Sequence, residues 1–164
     1  MSFFRFILQD WKRNSNNTKG KVIVVLFRLA VFIANRKLLK YVLFLYLIFY
    51  RLVVEWILGI ELPFLTKVGS GLIIYHGQSL VVHKNVVIGE NCVLRQCTTI
   101  GNRNRGSNFP VIGNNVDIGS NVCILGEIIV GNNVIIGAGS VVVKNIPGNS
   151  VVVGNPAKVI KTLI

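Results

Sequence analysis

The chain has 164 residues, of which 52% are hydrophobic and 15% are charged, and its formal net charge is +12. This length predicts one domain with an appendage. The positive charge is concentrated in residues 1–60, which hold ten Lys or Arg residues against Asp10 and Glu55. A basic surface attracts nucleic acid, anionic lipid or phosphorylated ligands, but no nucleic-acid motif accompanies this charge. We therefore expect no nucleic-acid partner and rank lipid and phosphorylated ligands above it.

Two apolar segments lie within the basic front third. Residues 22–34 are interrupted by Arg28 alone, and residues 38–58 contain an uninterrupted apolar run of ten residues. A helix that spans a membrane needs about 20 apolar residues, so spanning is disfavoured. We expect a helical hairpin instead. It lies against the rest of the protein or on a membrane surface, or it is a buried helix pair in an oligomer.

The stretch from residue 111 to residue 140 contains a six-residue repeat, whose aliphatic positions are Ile112, Ile118, Ile124, Val130 and Ile136. This period belongs to neither a helix nor a simple strand and indicates a solenoid. Three hexapeptides close one turn of three flat faces, and stacked turns bury a continuous aliphatic column. Gly and Asn supply the corners, where φ is positive. The alternative, a β-sandwich, has no fixed six-residue phase.

Two interruptions of this phase mark candidate functional positions. The phase slips by two residues near His76 and Gly77, which predicts that the chain bulges there. Residues 101–110 have no aliphatic residue at the expected position, although the phase resumes at Ile112. We interpret this stretch, which includes Arg103 and Arg105, as a basic loop that leaves the coil. Loops of this kind often carry function.

Cysteine usage bears on metal binding and on location. Cys92, Cys97 and Cys123 form no CxxC pair and have no metal-ligand spacing with either histidine. We therefore predict no metal site and interpret the cysteines as small buried residues, with a reactive thiol as the alternative. An odd number of cysteines, after residues 1–21 that lack signal-peptide features, indicates a reducing compartment. The expected location is cytoplasmic, either free or peripheral to the inner face of the cell membrane.

Several motifs occur together in the coil. They are Glu61, the His76-Gly77 pair that ends I-I-Y-H-G, the run V-I-G-E-N-C-V-L-R-Q-C-T-T-I-G-N from Val87, I-G-A-G-S-V-V from Ile136 and G-N-P-A-K from Gly154. In this combination the chain resembles the serine acetyltransferase family of hexapeptide-repeat acyltransferases. Within that family it is similar to the colanic acid biosynthesis acetyltransferase branch.

The resemblance implies a fold, an assembly and a co-substrate. The fold is mainly β, with a left-handed parallel β-helix at residues 61–164 after an apolar helical segment at residues 1–60. The assembly is a homotrimer, and acetyl-CoA binds between neighbouring coils. The implied reaction is O-acetyl transfer from acetyl-CoA to a hydroxyl group.

The resemblance also places the catalytic histidine at His76 and its carboxylate partner at Glu61. Transfer to a hydroxyl needs a base, and histidine has the unperturbed pKa that lies nearest the operating pH. A carboxylate would fix the tautomer of the imidazole and stabilise the imidazolium. The family usually has aspartate where this chain has Glu61. A structural role is the alternative for His76, and His83 is interpreted as a surface residue.

The acceptor site departs from the serine-specific pattern. Tyr75 stands where serine acetyltransferases carry an aspartate, and Asn108 and Phe109 stand where they carry an Arg-His pair. An amino-acid zwitterion would lack charged partners here. We therefore expect a saccharide of surface polysaccharide biosynthesis as the acceptor. L-Serine is the alternative acceptor, and a non-catalytic scaffold is the further alternative.

The contacts to CoA are carried over by position. Small residues that line the pantetheine cleft correspond to Ser120 and Ala138, and Gly137 and Gly139 allow the backbone to approach closely. The basic residue near the CoA phosphates corresponds to Lys158, with Lys161 beside it.

Overall fold

The computed structural model describes residues 2–104, 106 and 108–163. Helices occupy the front third of the chain and short strands form the rest. The helical elements are α1 (Phe3–Ile7), α2 (Thr18–Ala34), α3 (Lys37–Val42), α4 (Phe44–Tyr50) and a π-helix (Arg51–Ile57) that continues α4.

The strands form three sheets that wind around a common axis. Sheet A contains β1, β4, β7, β10 and β13, sheet B contains β2, β5, β8 and β11, and sheet C contains β3, β6, β9, β12, β14 and β15. All pairings are parallel except that of β15 with β14. The predicted left-handed parallel β-helix, of about 5 turns, is thus confirmed. The strands are β1 (Ile60–Glu61), β2 (Lys67–Val68), β3 (Ile73–Tyr75), β4 (Leu80–Val82), β5 (Val87–Ile88), β6 (Val93–Arg95), β7 (Thr99–Gly101), β8 (Val111–Ile112), β9 (Asp117–Ile118), β10 (Cys123–Leu125), β11 (Ile129–Val130), β12 (Val134–Ile136), β13 (Val141–Val142), β14 (Ser150–Gly154) and β15 (Ala157–Thr162).

Each sheet repeats one inward position from turn to turn. In sheet B, Val68 pairs with Ile88, Ile88 with Ile112 and Ile112 with Val130. The last three side chains are buried. Burial of one such side chain contributes about 1.5–3 kcal/mol, so the column stabilises the stack of turns. The six-residue phase expected from the sequence is confirmed.

The corner between sheets B and C, which we call the asparagine corner, consists of residues 69–72, 89–92, 113–116, 131–133 and 147–149. Asn115 Nδ2 donates to Asn133 Oδ1 at 2.9 Å, and Asn133 Nδ2 donates to Asn149 Oδ1 at 2.8 Å. These three residues have φ values of 56°, 57° and 54°, a region that Asn tolerates better than most residues. The amide ladder therefore ties successive turns together at this corner.

A buried ion pair closes the first turn of the asparagine corner. The Asp10 carboxylate is fully buried and accepts hydrogen bonds from the backbone N–H groups of Gly71 and Leu72 at 2.7 and 3.0 Å. Arg28 Nε donates to Asp10 Oδ2 at 2.7 Å, and Arg28 Nη1 donates to the carbonyl of Val68 at 2.8 Å. Arg28, one of the ten basic residues of the front third, therefore has a structural role.

Two asparagine side chains cover the edge of sheet C. β3 is an edge strand, and its carbonyls on this side have no neighbouring strand. Asn14 Nδ2 donates to the carbonyl of Leu72 at 2.8 Å, and Asn17 Nδ2 donates to the carbonyl of Ile74 at 2.8 Å. Asn17 Oδ1 also accepts from the N–H of Gly20 at 2.9 Å, as an N-cap of α2. Side chains thus satisfy groups that a further strand would otherwise pair.

The inner face of α4 and the π-helix completes the hydrophobic core. Leu47, Tyr50 and Val54 are buried there in one cluster that also contains the inward residues of the coil. The Tyr50 hydroxyl donates to the carbonyl of Leu62 at 2.7 Å, and burial raises the pKa of this hydroxyl well above its usual value. The helices predicted within residues 22–34 and 38–58 are confirmed. Within the described ranges, none of these helices combines the length and apolarity that crossing a membrane requires.

Candidate active site

The corner between sheets C and A, which we call the histidine corner, consists of residues 76–79, 96–98, 119–122, 137–140 and 154–156. At its first turn, Ile74 in β3 and Val82 in β4 are eight residues apart, whereas their partners in the next turn, Leu94 and Ile100, are six apart. The two extra residues confirm the predicted bulge at His76. His76 is exposed and has a φ of 63°, which is uncommon for a residue other than glycine. Cys97 and Asn121, at the same corner, have φ values of 57°, so this conformation belongs to the corners of the coil.

The predicted catalytic pair occupies neighbouring elements. Glu61 is exposed on the outward side of sheet A, in register with Val81 of β4, and His76 lies on the bulge that leads into β4. Neither side chain has a hydrogen bond or ion pair within the described part of the chain. Their contact therefore stays a prediction.

Backbone hydrogen bonds continue the histidine corner from turn to turn. Cys97 N–H donates to the carbonyl of Gln78 at 2.8 Å, and Gly139 N–H donates to the carbonyl of Ser120 at 2.8 Å. Gly154 N–H donates to Ser140 Oγ at 3.2 Å. The structure therefore places on one corner the residues that sequence analysis assigned separately to catalysis and to CoA, namely His76, Ser120, Gly137, Ala138, Gly139 and, just beyond its last turn, Lys158.

The histidine corner leaves space and an unpaired acceptor for a ligand. Around a Cβ built at Gly139, which has a φ of 72°, there is no heavy atom within 4 Å. Gln96 Oε1 is buried and has no hydrogen-bond partner among the described residues. An unpaired buried acceptor costs about 1–3 kcal/mol, which an amide N–H of a ligand would offset. A Cβ at Gly119, in contrast, would lie 2.5 Å from Ala138 N, so this glycine serves the stacking of turns.

The two predicted phosphate-binding lysines lie on the terminal strand. Lys158 pairs with Val153 and Lys161 pairs with Val151, and both lysines are exposed. Lys158 is the second residue of β15, after the hairpin turn at the histidine corner. Lys161 lies three residues further along β15, away from that corner.

Tyr75 lies beside His76 and belongs to a polar stack on the outward side of sheet C. The Arg95 guanidinium lies 5.7 Å from the centroid of the Tyr75 ring, within the range of a cation–π contact. Arg95 also forms a short hydrogen bond with Asp117 and donates to the carbonyl of Ile118 at 2.9 Å. Sequence analysis missed Arg95. Its signal is the parallel register, which pairs Tyr75 with Arg95 one turn later.

The third corner, between sheets A and B, carries the predicted loop and is called the loop corner. Asn108 Nδ2 donates to Glu127 Oε1 at 2.8 Å. The Phe109 ring stacks on His83, with centroids 4.2 Å apart and an interplanar angle of 11°. His83 is half-buried beneath this ring, whereas the sequence predicts a surface residue. Arg105 lies outside the described residues.

A cleft of about 350 Å³ joins the loop corner to the outward side of sheet A, and Glu61, Val81, His83 and Asn102 are among its lining residues. Asn108 and Phe109 therefore lie across the width of sheet A from the histidine corner. Within one chain the structure brings only Tyr75, of the three predicted acceptor residues, next to His76.

The three cysteines differ in their exposure, which bears on the expectations about thiols and metal sites. Cys92 is buried, and burial raises the pKa of its thiol, whereas Cys123 is half-buried and Cys97 is exposed on the histidine corner. The expectation of small buried residues is therefore wrong for Cys97. In the residues that the structure describes, no three His, Cys, Asp or Glu side chains cluster closely enough to hold a metal ion.

Comparison with known proteins bears on the family. Residues 109–144 match the bacterial transferase hexapeptide (six repeats) family. The chain is 38% identical over 158 residues to WcaB of Escherichia coli (strain K12), named as a colanic acid biosynthesis acetyltransferase, and the match covers 93% of this chain and 98% of that protein. A serine acetyltransferase of Synechococcus elongatus is 37% identical over 104 residues, which covers 62% of this chain and 43% of that protein.

Solved structures give the same result for the fold. The serine acetyltransferase from Brucella abortus strain S19 in complex with coenzyme A superimposes with a TM-score of 0.82 at 25% sequence identity. The superposition covers 99% of this chain and 69% of that chain. It therefore includes the helical front third as well as the coil.

Proposed function

The chain belongs to the hexapeptide-repeat acetyltransferases, the family of WcaB and the serine acetyltransferases, and on this premise we propose that it O-acetylates a saccharide in surface polysaccharide biosynthesis. His76 is the general base of this reaction. The observation that carries the proposal is the position of His76, which is exposed on a two-residue bulge at the corner shared with the predicted CoA residues. A non-catalytic scaffold has no support from these relatives.

His76 performs the proton transfer. Acetyl-CoA supplies the acetyl group as a thioester whose carbonyl carbon an oxygen nucleophile can attack. The unprotonated ring nitrogen of His76 accepts the proton of the acceptor hydroxyl during attack and later releases it to the leaving group. His76 is exposed, and its side chain has no hydrogen bond or ion pair among the described residues.

Glu61 has a positioning role in this proposal. Its carboxylate lies on the outward side of sheet A, next to the strand that follows the bulge. A hydrogen bond from the protonated ring nitrogen to this carboxylate would fix the tautomer and stabilise the imidazolium.

The histidine corner is the proposed binding site for acetyl-CoA. Ser120, Ala138, Gly137 and Gly139 would line the pantetheine arm, and the open space at Gly139 supports this assignment. The unpaired acceptor Gln96 Oε1 matches an amide N–H of that arm. Lys158 would meet the phosphates at the end of the corner, and Lys161 would extend the positive charge along β15.

The acceptor assignment depends on the charge of the site. Next to His76 the chain places an aromatic ring, Tyr75, with the Arg95 guanidinium near it, and the Asp117 carboxylate is bonded to Arg95. Aromatic rings stack on the apolar faces of pyranoses, and the Asn108 amide can bond hydroxyl groups. L-Serine remains the second candidate, because serine acetyltransferases are among both the relatives and the similar structures.

We expect the active site to be shared in a homotrimer. Asn108 and Phe109 lie at the loop corner, across sheet A from His76 of their own chain. A neighbouring chain related by three-fold symmetry would bring its loop corner to this histidine corner, and ring closure uses one heterologous contact. A cytoplasmic location fits the supply of acetyl-CoA, and the three cysteines are free.

The test is acetyl-CoA turnover with lipid-linked saccharides, nucleotide sugars and L-serine as alternative acceptors. We expect transfer to a saccharide and none above background to L-serine. Turnover of L-serine with kcat/KM of about 10⁴ M⁻¹s⁻¹ or more would show that the acceptor is the amino acid. If the wild-type protein binds CoA but transfers acetyl to none of these acceptors, the proposal as a whole would be contradicted.

A further inference from the structure

The outward side of residues 38–57, which we call the outer helical face, carries many exposed apolar side chains. Its residues are between 47% and 75% exposed. They are Leu38, Tyr41, Val42, Leu45, Ile48, Phe49, Leu52, Trp56 and Ile57.

The same helices are apolar on their inner side, where Leu47, Tyr50 and Val54 are buried against the rest of the chain. A helix that is apolar all round is normally covered on all sides, in a protein core or by a membrane. Here the chain covers one side only. Exposed apolar surfaces of this extent mark an interaction site.

The charges around the outer helical face are of one sign. Arg36, Lys37, Lys40 and Arg51 are exposed along the same helices. The carboxylates of the described front third, Asp10 and Glu55, have side-chain exposures of 0% and 10%, and each is bonded to an arginine. The surface therefore presents cations and apolar groups without a free carboxylate.

We propose that the outer helical face docks flat on the surface of an anionic lipid bilayer. Because no described helix can span a membrane, the helices would lie in the plane of the interface, with the apolar residues among the acyl chains. The basic residues would meet anionic headgroups at the same level. Trp56 and Tyr41, which are 75% and 70% exposed, are side-chain types that favour this depth.

The charge distribution favours a bilayer over a second copy of the chain. Contact between two outer helical faces would bring the exposed arginines and lysines of both copies together, and the one carboxylate of residues 36–57, Glu55, is already paired with Arg51. Anionic headgroups supply the missing negative charge. A groove of about 340 Å³ lined by Lys40, Phe44 and Arg51 combines apolar walls with the Lys40 ammonium group and an arginine that is paired with Glu55, which suits an anionic phospholipid.

The two tryptophans of the chain allow a direct test. In a Trp11→Phe variant, Trp56 is the only tryptophan and reports on the outer helical face. We expect a blue shift of its emission, and flotation of the protein, with vesicles of phosphatidylcholine and phosphatidylglycerol. Pure phosphatidylcholine vesicles should have a much smaller effect, and added salt should weaken binding.

Matched variants separate docking of the outer helical face from nonspecific adsorption to vesicles. Leu45→Glu, on the outer helical face, should weaken binding to the anionic vesicles by about tenfold or more, because it removes apolar contact and adds repulsion. Ile160→Glu also replaces an exposed apolar residue by glutamate. Ile160 is 62% exposed and lies on β15, at the edge of sheet C opposite to β3, so this variant should leave binding unchanged. Lys37→Gln with Lys40→Gln should reduce only the part of binding that depends on anionic lipid.

Two results would overturn the proposal. One is the absence of flotation with anionic vesicles when the wild-type protein is folded. The other is a blue shift of Trp56 that depends on protein concentration in the absence of lipid, which would show that a second copy covers this face. These measurements do not involve acetyl transfer, so they remain valid whichever acceptor the enzyme uses.

Discussion

The asparagine corner and the histidine corner flank the same sheet and arise from the same repeat, but their side chains are used differently. At the asparagine corner, amides bond to amides in successive turns and Asp10 with Arg28 completes the first turn. At the histidine corner, His76, Asn121 and Gln96 Oε1 have no side-chain hydrogen bond in the described chain. The asparagine corner ties successive turns together through its side chains, whereas three polar groups of the histidine corner have no side-chain bond within the described chain.

The largest expected effect is on catalysis. His76→Ala should lower the rate of acetyl transfer by about 100- to 10,000-fold, because it removes the general base. The free energy of unfolding should not fall, because His76 has no partner to lose among the described residues. Steady-state rates and denaturant unfolding measure the two quantities. A variant that keeps more than about a tenth of the rate would exclude His76 as the base.

The next effect concerns stability at the asparagine corner. Arg28→Met leaves the Asp10 carboxylate buried without its cation and should lower the free energy of unfolding by about 3–5 kcal/mol. Arg51→Met is the control, because Arg51 is 62% exposed in its pair with Glu55, and such pairs contribute at most about 1 kcal/mol. Equal losses of unfolding free energy in the two variants would show that burial does not increase the contribution of the Asp10–Arg28 pair.

Replacing one residue at each corner by leucine should separate affinity for CoA from stability. Ala138→Leu extends into the proposed pantetheine cleft and should raise the Kd for CoA about tenfold or more, with little change in stability. Asn132→Leu removes the Oδ1 acceptor that Asn114 N–H reaches at 2.7 Å, so it should lower stability and leave the Kd unchanged. Calorimetric titration and thermal unfolding distinguish these outcomes. The reverse pattern would place the CoA site at the other corner.

The smallest expected effect on stability comes from nearly isosteric substitutions, one at each corner. Asn133→Asp replaces the donor that Asn149 Oδ1 accepts from and should cost about 0.5–1.5 kcal/mol in unfolding free energy. Asn121→Asp makes the same change at the histidine corner, at a similar φ of 57° but without a side-chain partner in the described chain, and should have no measurable effect. A loss for Asn121→Asp as large as that for Asn133→Asp would show that φ, and not the ladder, determines stability.

The sequence predicts the features of this protein that repeat locally. The phase from Ile112 to Ile136 determines which side chains face inward, and the slip of two residues is enough to locate the bulge at His76. Both features depend on chain spacing within one or two turns. The helical front third is likewise predictable from its apolar content.

Contacts between distant parts of the chain could not be predicted. In the sequence Arg28 is only one member of a basic segment, yet it bonds Asp10 and the first turn of the coil, the latter 40 residues away. The stacking of Phe109 on His83 depends on how the loop returns, and no local pattern encodes that. The proposed contact of His76 with Glu61, 15 residues earlier, likewise depends on how two strands and a bulge are placed, which no local pattern encodes.

The asparagine bonds along β3 bear on solubility and on how the protein can be truncated. Asn14 and Asn17 cover the backbone carbonyls of Leu72 and Ile74 on an edge strand. A shortened form that begins at residue 18 would keep α2 but uncover that edge, and uncovered edges pair with strands of other molecules. Such a form should aggregate through its coil even if the hydrophobic column and the histidine corner remain intact.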